Sequence, residues 1–326
     1  MSPQNDKQPL LEVRNLRTRF QLRGRSIEVV RGVDLTVAPA EVLGLIGESG
    51  SGKTVTGMSI LRLLPENAEV SSDKLNFNGK ELLDLSDDEF QTLRGKRLAM
   101  IFQNPVGAFN PAKRIVWHLR EIFRRRTGND TGWQEAVRES LLAVGIPQPE
   151  RVLKLYPHQL SGGMAQRILI AMVLSLEPDL IVADEPTTNL DNIVERQILA
   201  LFRKLQSRIN SAIIFITHDM AIAAALCDRI AVMYAGQIVE VGPTSEIFNA
   251  PRHPYTQGLI ATALALKHKV ARLKEIAGDL PNLAAPPPGC LFAPRCAHAM
   301  PRCREQEPPV FGDGPHTVRC YLAEPA

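Results

Sequence analysis

The octapeptide Gly47-Glu48-Ser49-Gly50-Ser51-Gly52-Lys53-Thr54 constrains this chain more than any other feature, because it fits G-x-x-x-x-G-K-[ST] in full. Before it runs an almost uninterrupted apolar stretch from Glu41 to Gly47, the signature of a strand buried in a parallel sheet. After it a helix is expected from about Lys53 to Leu64, stopping before Pro65. Strand, glycine-rich turn and helix together make a phosphate cradle. Glycines let successive backbone N–H groups converge and let an anion come close, and the helix start adds partial positive charge. Lys53 can reach the β- and γ-phosphates, and the Thr54 hydroxyl can ligate Mg²⁺. All eight residues are therefore candidates for binding Mg²⁺-ATP, and hydrolysis is the expected chemistry.

A second apolar strand, Leu180-Ile181-Val182-Ala183, ends in Asp184-Glu185. Asp184 suits Mg²⁺ through its water shell. Glu185, read as pointing the other way along the strand, can act as general base on an attacking water. A third strand, Ala212–Thr217, ends at His218, a candidate γ-phosphate contact. Between and after these strands, Gly162–Leu176 and Ile193–Arg208 read as helices, so strands alternate with helices and imply a parallel sheet with helices on its faces. The segments Leu11–Phe20 and Ile27–Val37 alternate apolar and polar as half-exposed antiparallel strands do. Residues 229–241 read as a hairpin around Ala235-Gly236, and Pro254–Leu266 as a helix. Helical patterns over 111–158, broken at Thr127–Gly132 and Gly145–Pro149, suggest a separate helical subdomain.

The fold expected is α/β: a P-loop NTPase (RecA-like) core with an N-terminal antiparallel β subdomain, an inserted helical subdomain and a C-terminal cysteine-containing extension. The boundaries expected are 1–250 for the ATPase domain, with the helical subdomain about 104–177, and 251–326 for the extension. With 38 basic and 35 acidic residues, the net charge of +3 offers no field for nucleic acid. The run Arg120–Arg126 is basic, as a solvated helix face is. The polar start has no apolar signal segment, and no stretch is apolar for long enough to span a bilayer, so a cytosolic protein is expected, with membrane association only through partners.

Four of the five cysteines, Cys290, Cys296, Cys303 and Cys320, fall at C-x₅-C-x₆-C-x₁₆-C behind the proline-rich Pro281–Gly289. Such thiols suit an iron–sulfur cluster or a tetrahedral zinc, or remain reduced structural cysteines; the spacing does not choose between them. His298 and His316 could replace a thiol, although a solvated or structural role is the expectation for each. Cys227 reads as a small buried residue.

With those residues in place, the sequence resembles the ATP-binding subunits of ABC transporters from Leu11 to about Val241. Leu160-Ser161-Gly162-Gly163-Met164 looks like the family's signature, Ile101-Phe102-Gln103 its Q-loop, Asn189-Leu190-Asp191 its D-loop, His218 its switch histidine, and Phe20 the aromatic that stacks on adenine. The resemblance implies a head-to-tail pair of such subunits. ATP then lies on one partner's phosphate loop and beneath Ser161, Gly162 and Gly163 of the other, and Gln103 couples ATP contact to membrane partners. Tyr156–Met164, Met100–Pro111, His253-Pro254-Tyr255-Thr256, Pro288-Gly289-Cys290 and Pro294-Arg295-Cys296 resemble the dipeptide/oligopeptide importer branch. The Met after the signature glycines resembles its D-type subunit, which usually pairs with a distinct F-type subunit. The partners implied are that second ATPase, two permeases and a periplasmic solute-binding protein, at the cytoplasmic face of a bacterial inner membrane. The cofactors implied are ATP, Mg²⁺ and, for the cysteines, [4Fe-4S]. The same machinery could carry nickel, glutathione or an opine. A soluble ABC ATPase acting on DNA or ribosomes would usually show a coiled-coil insertion or two fused ATPase domains. The departures are Ala165 where the family often has Arg, Asn189 where it often has Ala, and Ala38-Pro39-Ala40-Glu41 in place of a Gly-containing turn.

Overall fold

A computed structural model describes residues 8–22, 24–188, 192–267, 276–312 and 314–325. The chain divides into two compact units, one formed by residues up to Asp84 together with those from Ile214 onward, the other by Leu85–Ile213.

In the first unit an antiparallel sheet runs in the order Arg25–Val37, Leu11–Leu22, Lys74–Phe77, Lys80–Glu81, with Ala68–Ser71 also paired to Leu11–Leu22. The expected alternation is present: Leu11, Val13, Leu16 and Thr18 are buried while Arg14 and Arg19 face solvent. A second set of strands runs Thr317–Val318, Gln237–Pro243, Arg229–Tyr234, Val42–Ile46, with Ala212–Thr217 beyond. Val42–Ile46 and Ala212–Thr217 are buried at every position, as their unbroken apolar sequences require. Arg229–Tyr234 pairs parallel with Val42–Ile46 and antiparallel with Gln237–Pro243. The hairpin turn forms at Ala235 (φ 46°) and Gly236 (φ 87°), the two positive φ values that a two-residue turn between twisted strands demands.

The helix after the phosphate loop is Lys53–Ile60, shorter than the stretch to Leu64 that the apolar pattern suggested. Arg62 turns left-handed (φ 49°), Leu63 N–H returns to Met58 O and Arg62 N–H to Ser59 O, a Schellman closure that ends the helix while Leu61, Leu63 and Leu64 prolong the apolar run. Further helices are Met220–Leu226, Thr244–Asn249 and Pro254–Lys267.

The second unit holds the parallel pair Leu98–Ile101 and Leu180–Asp184, both fully buried. Its helices are Asp87–Leu93, Ile115–Thr127, Trp133–Ala143, Pro149–Leu153, Gly162–Ser175 and Asn192–Ile209. Ile115–Thr127 ends at Gly128 (φ 77°) and Trp133–Ala143 starts from Gly132 (φ 77°), so the glycines of the predicted break bound both helices. The basic run lies on the exposed side of Ile115–Thr127, where Arg120 pairs with Asp130 and Arg124 with Glu121.

Candidate functional site

In the first unit, Gly47–Thr54 closes between Val42–Ile46 and Lys53–Ile60 as the motif requires. Ser51 N–H donates to Glu48 O, and Gly50 (φ 81°) and Gly52 (φ 103°) take conformations that side chains rarely adopt. Gly236 N–H donates to Ser51 O at 2.8 Å, so the hairpin tip braces the loop from behind. Lys53 is buried, and its ammonium donates to Gly47 O and Glu48 O at 2.8 Å each, folded against the loop that it would serve. His218 is exposed at the end of Ala212–Thr217, just before the Asp219 cap whose carboxylate accepts from Ala221 and Ile222 N–H. A cavity of about 1120 Å³ opens onto Glu48, Ser49, His218 and Arg295, so the histidine and the start of the loop share one space. Phe20 is half-buried on Leu11–Leu22. It lies two residues from Thr18, on the same strand face, and Thr18 Oγ1 shares a 2.7 Å hydrogen bond with Ser59 Oγ of the helix behind the loop.

In the second unit, Asp184 is the last residue of its strand and is buried. Glu185 does not continue the alternation expected of it. Its φ of 43° turns the chain out of the strand, so that turn, and not the strand's period, aims the carboxylate. Glu185 Oε2 accepts from Gln103 Nε2 at 3.2 Å and from Thr188 Oγ1 at 2.9 Å. Two residues assigned separately from the sequence thus meet in space, and Thr188 joins them unannounced; its only sequence signal is a hydroxyl three residues after the glutamate. Ser161 caps Gly162–Ser175, its hydroxyl accepting Met164 N–H at 3.3 Å. Ser161 and Gly162 are exposed, and a Cβ at Gly162 would meet no atom within 4 Å, so this helix start is open to a ligand or partner. The D-loop residues Asn189, Leu190 and Asp191 lie outside the described residues.

Cys290, Cys296, Cys303 and Cys320 are free thiols that line one small apolar cavity with Met300 and Tyr321. Cys290 N–H donates to Cys303 O at 2.8 Å, and the amides of His298 and Met300 donate to the sulfurs of Cys296 and Cys303 at 3.4 Å each. Burial pushes the Cys290 thiol up to about 11 and raises Cys296 and Cys320 as well. The donor chemistry suits a thiophilic group, since four cysteines line the space and no carboxylate does. Among the described residues, however, no three ligating side chains are disposed to hold a metal ion. His316 is structural: Nε2 meets Glu240 at 2.7 Å and Nδ1 meets Glu246 at 3.2 Å. His298 is exposed.

Comparison with known proteins gives two family matches. The ABC transporter family matches residues 30–188, and the oligopeptide/dipeptide transporter C-terminal region matches residues 239–303. The chain is 43% identical over 318 residues to the dipeptide transport ATP-binding protein DppD of Bacillus subtilis, covering 97% of this chain and 95% of that one. It is 41% identical over 315 residues to the oligopeptide transport ATP-binding protein OppD of Salmonella typhimurium, covering 96% and 93%. Among solved structures, a dimeric post-hydrolysis ATP-binding cassette bound to ADP and Pi superposes with a TM-score of 0.65 at 24% identity, over 72% of this chain and 98% of that chain. The last likeness establishes the fold.

Proposed function

The chain belongs to the ABC transporter family, among the ATP-binding subunits of dipeptide and oligopeptide importers, and from that premise we propose how its residues divide the work. Gly47–Thr54 receives the phosphates of ATP, with Lys53 exchanging its carbonyl partners for the β- and γ-phosphates. Thr54 and Asp184 would hold Mg²⁺, which neutralises phosphate charge when bound. Phe20 stacks on adenine. Glu185 takes the proton of the attacking water, Gln103 positions that water, and His218 contacts the γ-phosphate. The observation that carries this division is the Gln103–Glu185 hydrogen bond at 3.2 Å, because it brings together the two groups that must meet at one water.

Ser161, Gly162 and Gly163 act on the ATP of a second subunit, offering a capped helix start to its γ-phosphate, and Asp191 links the two sites. That second subunit is a distinct F-type homologue. Residues 104 to about 177 form the helical subdomain, with Gln103 at its edge coupling ATP contact to the permeases, of which the complex has two; these receive peptide from a periplasmic binding protein, and residues 251–326 form the extension typical of this branch. Among the described residues no helix is long and apolar enough to cross a membrane, which fits a peripheral subunit held by its permeases at the cytoplasmic face of the inner membrane. Cys290, Cys296, Cys303 and Cys320 would hold a [4Fe-4S] cluster; the support is that four free thiols line one cavity in the extension typical of this branch.

The test is uptake by proteoliposomes containing the two ATPase subunits, both permeases and the binding protein. ATP-dependent accumulation of a labelled di- or oligopeptide is expected. Uptake of nickel, glutathione or an opine with none of peptide would overturn the cargo.

A further inference from the structure

The phosphate loop is fastened from outside the strand and helix that flank it. Glu48, its second residue, is gripped at both backbone and side chain by residues more than 200 positions away. Tyr255 Oη accepts Glu48 N–H at 2.9 Å. Arg295 clasps the carboxylate with two parallel bonds, Nη1 to Oε2 at 2.7 Å and Nη2 to Oε1 at 3.0 Å. Arg295 is itself rigidly set. Nε donates to Ala277 O and Nη2 to Ile276 O, both at 3.0 Å, and Nη1 reaches Tyr234 Oη at 3.5 Å, so every N–H of the guanidinium is engaged. Its plane lies near the rings of Tyr234 and Phe292, and only 5% of the side chain is exposed. Leu280 Cδ1 lies 3.4 Å from where a Cβ on Gly50 would stand, so residues near 280 also flank the loop.

A carboxylate inside a phosphate loop opposes the polyanion that the loop must admit. An arginine held away from water is the partner that cancels it. The geometry points to Arg295 and Tyr255 as positioning residues for ATP: Arg295 neutralises and orients Glu48, Tyr255 fixes the amide where the loop leaves its strand, and the loop's receptive shape depends on residues 251–326. This rests on the loop being the ATP site.

The experiment is titration of the full chain with the fluorescent nucleotide MANT-ATP and Mg²⁺. Arg295→Met should raise Kd about tenfold, because it leaves Glu48 charged and unpaired. Adding Glu48→Gln to that variant removes the orphaned charge and should return Kd to within about threefold of the parent. Tyr255→Phe, which keeps the ring and loses the acceptor, should weaken binding about threefold. An arginine that only anchors the tail would give a loss that Glu48→Gln does not repair, and that result, or parent-like binding by Arg295→Met, overturns the inference. Should Arg295→Met fail to fold, the double variant decides alone: parent-like binding supports the inference and a tenfold loss overturns it. The parent's own signal separates this from the ATP-site assignment, which alone would fall if the parent did not bind MANT-ATP.

Discussion

Gly47→Ala places one methyl group against a wall that cannot retreat. Its Cβ would stand 2.1 Å from Met233 O, 3.2 Å from Met233 C and 2.8 Å from Ser51 Oγ. Carbon and carbonyl oxygen tolerate about 3.3 Å, so the loop and the Met233 carbonyl must part by roughly 1.2 Å. Met233 is fully buried in a strand paired on one side with Val42–Ile46 and on the other with Gln237–Pro243, so the loop is what moves. Gly47 O is also a seat of the Lys53 ammonium, and its displacement carries that charge along. A misplacement of about 1 Å at a reacting centre costs on the order of 100-fold in rate, about 2.7 kcal/mol. Overpacking adds a stability loss of about 1–3 kcal/mol, which leaves the protein folded at moderate temperature. The assay is phosphate release by the assembled transporter against ATP concentration, with Gly314→Ala as control, since a Cβ there meets no atom within 4 Å. A kcat/KM for Gly47→Ala within threefold of the parent, or an equal loss in Gly314→Ala, would refute the reasoning.

Burial pushes the Cys227 thiol up to about 12, leaving about a thousandfold less thiolate at pH 8 than an ordinary cysteine; it should react with N-ethylmaleimide only after unfolding or as pH climbs towards that value, and rapid native labelling at pH 8 would contradict it. Ser161→Arg sets a large cation on the capped start of Gly162–Ser175 and should lower ATPase activity of the assembled transporter by about 100-fold while each subunit still binds MANT-ATP; undiminished turnover would count against the signature assignment. Protein purified without oxygen should be brown, with iron and sulfide in equal amounts, and Cys303→Ser should lose both; their absence from the parent would remove the cluster.

How much of this was legible depended on the range over which each feature is encoded. The phosphate loop and the buried strands are local, and Gly47–Thr54, Val42–Ile46 and Ala212–Thr217 were readable from a few consecutive residues. The Ala235-Gly236 hairpin was readable for the same reason. The end of Lys53–Ile60 was not, because Leu61, Leu63 and Leu64 extend the apolar pattern past a left-handed Arg62 that no residue type announces. The direction of Glu185 was missed because a single backbone angle, with φ at 43°, breaks the strand period there. Arg295 and Tyr255 stood in motifs that marked the branch, yet their grip on Glu48 closes only when residues 247 and 207 positions apart in sequence are brought together. The cysteines showed their chemistry in sequence, but whether the sulfurs suit one ion or a wider group is a matter of spacing in space.

In the mechanism proposed, ATP held at Gly47–Thr54 is split by water activated at Glu185. Glu185→Gln keeps the shape and the Gln103 and Thr188 neighbours while removing the base. Measured side by side in the assembled transporter, MANT-ATP binding should stay within about threefold of the parent while phosphate release falls by roughly 100-fold to 10,000-fold. Phosphate release at the parental rate would contradict it.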